Sequence, residues 1–483
     1  MVNMSALSSK DKKFYIIVFF TIVIMFGFGF LPPFGEVTPT GMKILGIFLG
    51  CIFAWCFGEL VWSSIIGLVS LVIFGFGTMG ENFASAYANN TVATMIVAII
   101  FCYAIEKSGL LSEISKWIIG QKWAQKSIWG LILAYFIAAT LLGILATNAV
   151  PPIILLWALF YEMAREIGLK PGDPVVVIIL CGIGVTAYVG VAMMPYSAMA
   201  VLVRGAAESF DPNFVFNIGQ FMLLNLLIAI FFIPVVVMVL RIVAGRKVTF
   251  EMPKRDSYKM NLNLESKISL VVLIFIILSM VVPNFLDAEN PLKVLFNDKL
   301  TIVGTFMLAS ALLMIIRIKG KPILDIPASI SAIPWPLVLL VSSALAISNF
   351  ITADGMGIVP TIVSVLDPVM EGKSPFVITL LFVAIGLIMT NFINDVVTCV
   401  VLYPIGAQFI LDAGGSEMLF AILFAQVTIQ GCLMPSGSIV GAMFHGNVEW
   451  MRSKDIFYYV TIMEVVLLIV LIIVAAIGGV IGV

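Results

Sequence analysis

The chain is a succession of apolar runs separated by short polar stretches. A helix of about 20 apolar residues crosses roughly 30 Å of hydrocarbon. Backbone groups in lipid must be satisfied internally, so runs of this kind are helices. The pattern predicts spans at about 14–31, 41–57, 60–77, 92–106, 175–203, 216–240, 267–284, 300–316, 335–351, 416–445 and 457–481. Two more stretches, 128–165 and 376–411, are too long for one span, and polar residues interrupt both. Each reads as a re-entrant helical hairpin that enters and leaves on one side. The expected fold class is an all-α polytopic membrane protein of about eleven transmembrane helices plus two re-entrant hairpins. Leu110, Leu111, Ile114, Trp117 and Ile118 recur at helical spacing between lysines, which predicts a helix lying flat in the interface over 108–126.

The charges orient this pattern. Lys10, Lys12 and Lys13 precede the first run, which reads as a membrane helix and not as a leader peptide. Lys107, Lys116, Lys122 and Lys126 follow the fourth span. Arg241, Arg246, Lys247, Lys254, Arg255, Lys259 and Lys267 fill the longest polar loop. Arg317, Lys319 and Lys321 follow the eighth span, and Arg452 and Lys454 precede the last. Eleven spans and two hairpins bring every cluster to one side. By the positive-inside rule that side is the cytoplasm, so the N-terminus is cytoplasmic and the expected location is the plasma membrane. The opposite loops carry acids such as Glu36, Glu208, Asp211, Asp287 and Asp354.

The pattern also repeats. Leu141–Asn148 (LLGILATN) resembles Ala384–Asn391 (AIGLIMTN), and Gly190–Gly205 resembles Gly431–Gly446. Each half has a Thr-Asn break in a hairpin and then a Met-Pro break in a long span. The number of spans between equivalent points makes the halves opposite in orientation. The expected organisation is residues 1–40 with the first helix, a first inverted repeat at 41–243, a cytoplasmic linker at 244–266 and a second repeat at 267–483. Inverted repeats with broken helices mark secondary transporters, with binding sites at the breaks.

The hairpin tips explain why. In Thr147-Asn148-Ala149-Val150-Pro151-Pro152 the residue before proline avoids helix, and a proline suits the first turn of the next helix. Asn391-Phe392-Ile393-Asn394-Asp395 does the same with capping side chains. The N–H groups that begin each following helix form an anion site. The carbonyls that end each preceding helix could ligate Na⁺ as the coupling ion, with Thr147, Asn148, Thr390, Asn391, Asn394 and Asp395 as candidates. Pro195 and Pro435 free further carbonyls in their preceding turns.

Composition narrows the function. Hydrophobic residues make up 61% of the 483 and charged residues 11%, against about 45–50% and 25% in soluble domains. A net charge of −1 gives no reason to expect a nucleic-acid partner. The six cysteines fall in apolar runs and read as core residues, and the single histidine, His445, excludes a multi-histidine metal site. No nucleophile–base constellation suggests an enzyme, and no cofactor is expected. The Asn89-Asn90-Thr91 sequon reads as a helix cap.

The repeated motifs, with Asn89–Val92, Glu106–Leu110 and Ile333–Leu337, resemble the divalent anion–sodium symporter (SLC13-like, DASS) family of the ion transporter superfamily over nearly the whole chain. The resemblance implies a homodimer, an elevator motion of the hairpin-bearing domain and a small anionic solute such as a dicarboxylate. It places substrate contacts at Asn148, Ala149, Tyr196, Ser197, Asn391, Phe392, Ser436 and Ser438. The family's Ser-Asn-Thr tips are here Thr147-Asn148-Ala149 and Thr390-Asn391-Phe392, and its Thr-Pro breaks are Met194-Pro195 and Met434-Pro435. Lost hydroxyls weaken the case for a carboxylate substrate, since each unmade bond costs about 1–3 kcal/mol.

Asp395 reads as the only carboxylate deep in the membrane, where a charge costs about 2.5–3.5 kcal/mol. It is either a coupling group or a helix cap. Two functions follow: a secondary transporter of small organic anions coupled to Na⁺ or H⁺ (or an exchanger), or a Na⁺/H⁺-type antiporter built on Asp395. Arg204 and His445 hold equivalent places after the breaks, either to attract anions or as structural residues.

Overall fold

The structure, a computed structural model, describes residues 8–211, 213–245, 257–287, 289–353 and 355–480. Arg246, Lys247, Lys254, Arg255 and Asp354, with residues 246–256 of the expected linker, lie outside the described residues.

The chain is almost wholly helical. Its first half runs through α1 (Ser9–Gly27), α2 (Pro39–Phe57), α3 (Leu60–Ile73), α4 (Met79–Tyr87), α5 (Asn90–Lys107), α6 (Leu110–Ile119), α7 (Ile128–Leu145), α8 (Val150–Ile167), α9 (Pro174–Ala192), α10 (Ala198–Phe210) and α11 (Ile218–Ala244). The second comprises α12 (Leu264–Val281), α13 (Pro291–Lys293), α14 (Thr301–Ile315), α15 (Ile326–Ser331), α16 (Trp335–Ile351), α17 (Ile358–Met370), α18 (Pro375–Phe392), α19 (Asp395–Asp412), α20 (Glu417–Thr428), α21 (Ile439–Gly446) and α22 (Ser453–Val480). One two-residue ladder, Arg317–Ile318 with Lys321–Pro322, follows α14.

Side-chain caps set the helix starts. Asn89 accepts from the Val92 N–H at 2.8 Å, so the sequon is a cap. Ser127 and Ser374 cap the first arms of the two hairpins.

Among the described residues, eleven helices are long and apolar enough to cross a membrane. They are not the eleven spans expected. The set includes α7, α18 and α19 from the hairpins, while α3, α16 and α20 are too short to enter it. Helices α4 and α17 were not expected. Both are short and amphipathic, so no apolar run marks them. The 60–77 run is helical only to Ile73. Helix α6 falls within the expected 108–126 stretch; Leu110, Leu111 and Ile118 are buried in the protein, and Trp117 is exposed.

The centre of the protein is made by α9 and α20. Every residue from Val175 to Ala192 is buried, as is every residue of α20. Gln426 of α20 ties these two helices to α11, donating to Asn225 Oδ1 at 2.7 Å and to the Val189 carbonyl at 3.4 Å.

Candidate functional site

Two helices stop inside the protein. After α9 the chain turns through Met193-Met194-Pro195-Tyr196 before Ser197 caps α10. After α20 it runs without helix to Ser438, which caps α21. Each break is met by the turn of a hairpin.

In the first half, α7 runs beside α9. Thr140 donates its hydroxyl to the Thr186 carbonyl, 46 residues on, at 3.1 Å. The helices touch through backbone: a Cβ on Gly190 would stand 2.1 Å from the Thr140 carbonyl oxygen. Such small-residue contacts let membrane helices approach closely. At the end of α7 the Tyr196 hydroxyl donates to the Ile144 carbonyl at 2.9 Å, tying hairpin to break.

In the second half, α18 runs beside α20 in the same way. Thr390 donates its hydroxyl to the Thr428 carbonyl, 38 residues on. Phe382 packs edge-on against Phe420, again 38 residues on. Helix α18 ends at Phe392 and α20 at Thr428, so tip and break are level here as they are in the first half. Leu433 of the break donates its N–H to Asn391 Oδ1 at 2.7 Å. The halves meet where α9 passes the start of α21: a Cβ on Gly184 would touch the Phe444 ring and Val440. The Tyr188 hydroxyl faces Ser438 there.

The candidate residues are used unequally. Asn148 is exposed and accepts from the Val150 N–H at 3.0 Å, a local cap beside buried Thr147 and Ala149. Pro195 and Ser197 are buried, while Phe392, Pro435 and Ser436 are exposed. Asn394 accepts from the Val396 N–H at 3.0 Å, and Asp395 Oδ1 accepts from the same N–H at 2.9 Å, so both cap α19. Asn391 corrects one expectation: it lies within α18, not in a non-helical tip, and its whole amide is engaged. Its nitrogen donates to the Leu387 carbonyl and to Glu464 Oε2, both at 2.9 Å.

That last bond corrects a second expectation. Asp395 is not the only deep carboxylate, because Glu464 of α22 is only 6% exposed. The signal was legible, since Glu464 stands alone in the apolar run Ile462-Met463-Glu464-Val465-Val466. Around the second break several buried polar atoms have no hydrogen-bond partner among the described residues, namely both amide atoms of Gln430 and Glu464 Oε1, and Thr398 Oγ1 on α19 is unpartnered as well. Buried polar groups are nearly always paired, so such a group of orphans marks a place for a ligand, a proton or water.

His445 has both ring nitrogens engaged, Nε2 with the Leu433 carbonyl at 2.9 Å and Nδ1 with Ser453 Oγ at 3.3 Å. Arg204 bonds Glu208 through Nε at 2.6 Å and lies over the Phe216 ring at 5.4 Å. It lines a cavity of about 870 Å³ that reaches Met193 and Met194 of the first break. Asn217, Asn284 and Lys293 stand on its other walls. The six cysteines are free, and all but Cys56 are buried.

Two buried helices broken inside the protein, each met at its break by a hairpin turn, define a membrane transporter and not an enzyme. The fold is that of solved transporters. The YdaH transporter of Alcanivorax borkumensis matches over 85% of this chain and 89% of its own, with TM-score 0.60 and 13% identity. MtrF of Neisseria gonorrhoeae, described as illuminating a class of antimetabolite efflux pumps, matches over 94% of this chain and 97% of its own, with TM-score 0.56 and 13% identity. No curated protein matches the chain by sequence. The citrate transporter family profile matches residues 48–425, and the chain belongs to that family. It is a multi-pass membrane transporter of the ion transporter superfamily, as the broken-helix motifs suggested.

Proposed function

We propose that the protein is a secondary active carrier of small organic anions of the citrate and dicarboxylate kind, driven by a cation gradient. The observation that carries this reading is that tip and break lie level in both halves. Ends of four half-helices then gather in the protein interior, where their N–H groups favour an anion. Family membership supplies the substrate class. Arg204 and Lys293 line the vestibule together with Asp298, and the two cationic side chains offer donors to an anion on its way to the first break.

In this reading residues 41–243 and 267–483 are inverted repeats, and the hairpins are re-entrant. The hairpins and broken helices move as one body against the remaining helices in an elevator motion, within a homodimer in the plasma membrane with cytoplasmic N-termini. The coupling ion is Na⁺ or H⁺. Purified protein in liposomes, given labelled citrate, succinate or a monocarboxylate under an imposed Na⁺ or proton gradient, tests this. Saturable, gradient-dependent accumulation of a di- or tricarboxylate is expected. No accumulation of any anion under either gradient would refute it.

A further inference from the structure

The 870 Å³ cavity beside the first break changes character along its length. Its polar end lies at helix termini. Asn217 caps α11 there, accepting from the Gln220 N–H at 3.0 Å, and Asn284, just past α12, donates to the Met280 carbonyl at 2.6 Å. Arg204, Lys293 and Asp298 complete that end. From Ile218 to Leu226 the wall formed by α11 then runs about 12 Å inward, at 1.5 Å per residue. The inner end is apolar, with Leu223, Leu226, Ile144 and Ile302 beside the methionines of the break. Ser279 and Thr305 also line the cavity, but each hydroxyl is turned onto its own helix. Ser279 donates to the Ile276 carbonyl at 2.7 Å and Thr305 to the Thr301 carbonyl at 2.8 Å, so neither donates to a carboxylate. A small polyanion would find partners only at the polar end.

The inner wall is continuous with the lipid-facing surface. Leu223, Leu226 and Ile230 stand at i, i+3 and i+7 on α11 and share one stripe. Ile230 lies beyond the cavity and is 54% exposed, so the stripe runs from the cavity wall onto the outside of the protein. Phe285, on the other wall, likewise continues the exposed apolar stripe of Ile274, Leu278 and Val282. The cavity is thus polar at the helix ends, apolar one to two turns further in, and open toward the bilayer along both walls. That is the polarity profile of an amphiphile standing upright in a membrane.

We propose that this cavity binds a membrane phospholipid whose headgroup carries a phosphate and a primary amine, and that the bound lipid closes the passage to the first break. Arg204 directs Nε to Glu208, and Lys293 one donor to the Leu286 carbonyl. A guanidinium has five N–H donors and an ammonium three, so both side chains keep donors for a phosphate. Asp298 repels a purely anionic headgroup but accepts from an amine, which selects a zwitterion. An acyl chain then lies along Leu223 and Leu226, against methionines whose flexible side chains adapt to it. Because the inner end reaches Met193 and Met194, a chain seated there stands between the polar end and the break. The lipid site stands apart from any substrate; only its effect on passage rests on the carrier reading.

Two measurements separate the parts. Native mass spectrometry of the purified full chain, offered phosphatidylethanolamine, phosphatidylglycerol or phosphatidylcholine, reads binding directly. Wild type should retain phosphatidylethanolamine at least tenfold better than the other two. Asp298→Asn should abolish that preference, and Leu226→Trp, which fills the apolar end, should lower retention at least tenfold. Ile473→Trp, on the exposed face of α22 and away from the cavity, should change nothing. Equal retention of all three lipids by wild type, or undiminished retention in Leu226→Trp, overturns the site. In liposomes, labelled-anion uptake by wild type should fall several-fold when phosphatidylethanolamine replaces half of a phosphatidylglycerol bilayer, and Asp298→Asn should reduce that fall to within about twofold. Uptake by wild type that is indifferent to the replacement overturns the effect on passage. If wild type carries no anion in either bilayer, the carrier reading fails while the mass spectra still decide the lipid site.

Discussion

Thr390 gives its side-chain hydroxyl to the backbone carbonyl of Thr428, the last residue of α20. The first half has the same device in Thr140 and Thr186. Sequence alignment pairs Thr390 with Thr147, yet the residue that makes the matching bond is Thr140. Both bonds sit on the ladder that brings each hairpin turn level with its break. Replacing Thr390 by Val keeps the shape and leaves the Thr428 carbonyl unpaired in the core. A loss of about 1–3 kcal/mol is expected. Chemical denaturation of the detergent-solubilised protein measures it, and an unchanged midpoint would remove the bond from the list of structural supports.

The close approach of α7 to α9 depends on glycine. In Gly190→Ala the new methyl would stand 2.1 Å from the Thr140 carbonyl oxygen. Backbone on one helix would have to retreat, at a cost of about 1–3 kcal/mol or more. Gly27→Ala is the control, since nothing lies within 4 Å of a Cβ there. Yield of monodisperse protein on size exclusion should drop for Gly190→Ala and stay level for Gly27→Ala.

Arg204 faces the cavity that leads to the first break, with its guanidinium partly engaged by Glu208 at 2.6 Å. Arg204→Gln should lower anion uptake several-fold at low ionic strength and much less near 1 M salt, where the screening length is about 3 Å. Glu208→Gln frees the guanidinium and should act in the opposite direction. Uptake rates at two salt concentrations decide, and equal loss at both would assign Arg204 a purely structural role.

Asn89 accepts from Val92 and donates to the Ser85 and Ala86 carbonyls, joining α4 to α5. Asn89→Ala should cost about 1 kcal/mol through the lost cap. Asn89→Ser keeps a capping acceptor without setting a negative charge against the Ser85 and Ala86 carbonyls, and should recover most of it. The thermal midpoints of the two variants give the comparison.

Much of the site was readable along the chain because the signals are local. Proline at 151, 195 and 435 and asparagine at 148 and 394 act on their own backbone, so the breaks fall where those residues stand. Asn391 misled because the same residue type can cap a helix or bond across it. Only the packing of α18 against the second break turned its side chain inward, toward Leu433 and Glu464. Glu464 itself was visible as a lone charge, but its partner lies 73 residues away and no spacing rule links them.

The sequence by itself determined that this is a helical membrane protein, where its helices break and which halves resemble each other. Those properties follow from chain-local polarity and backbone chemistry. Tertiary structure alone decided which helices form the centre. Helix α9 has a mean hydropathy of 2.5 and is wholly buried, whereas the span Lys10–Phe30 scores 2.1 and is 17% buried. Lipid tails are as apolar as a protein core, so composition does not distinguish a helix facing lipid from one enclosed by its neighbours.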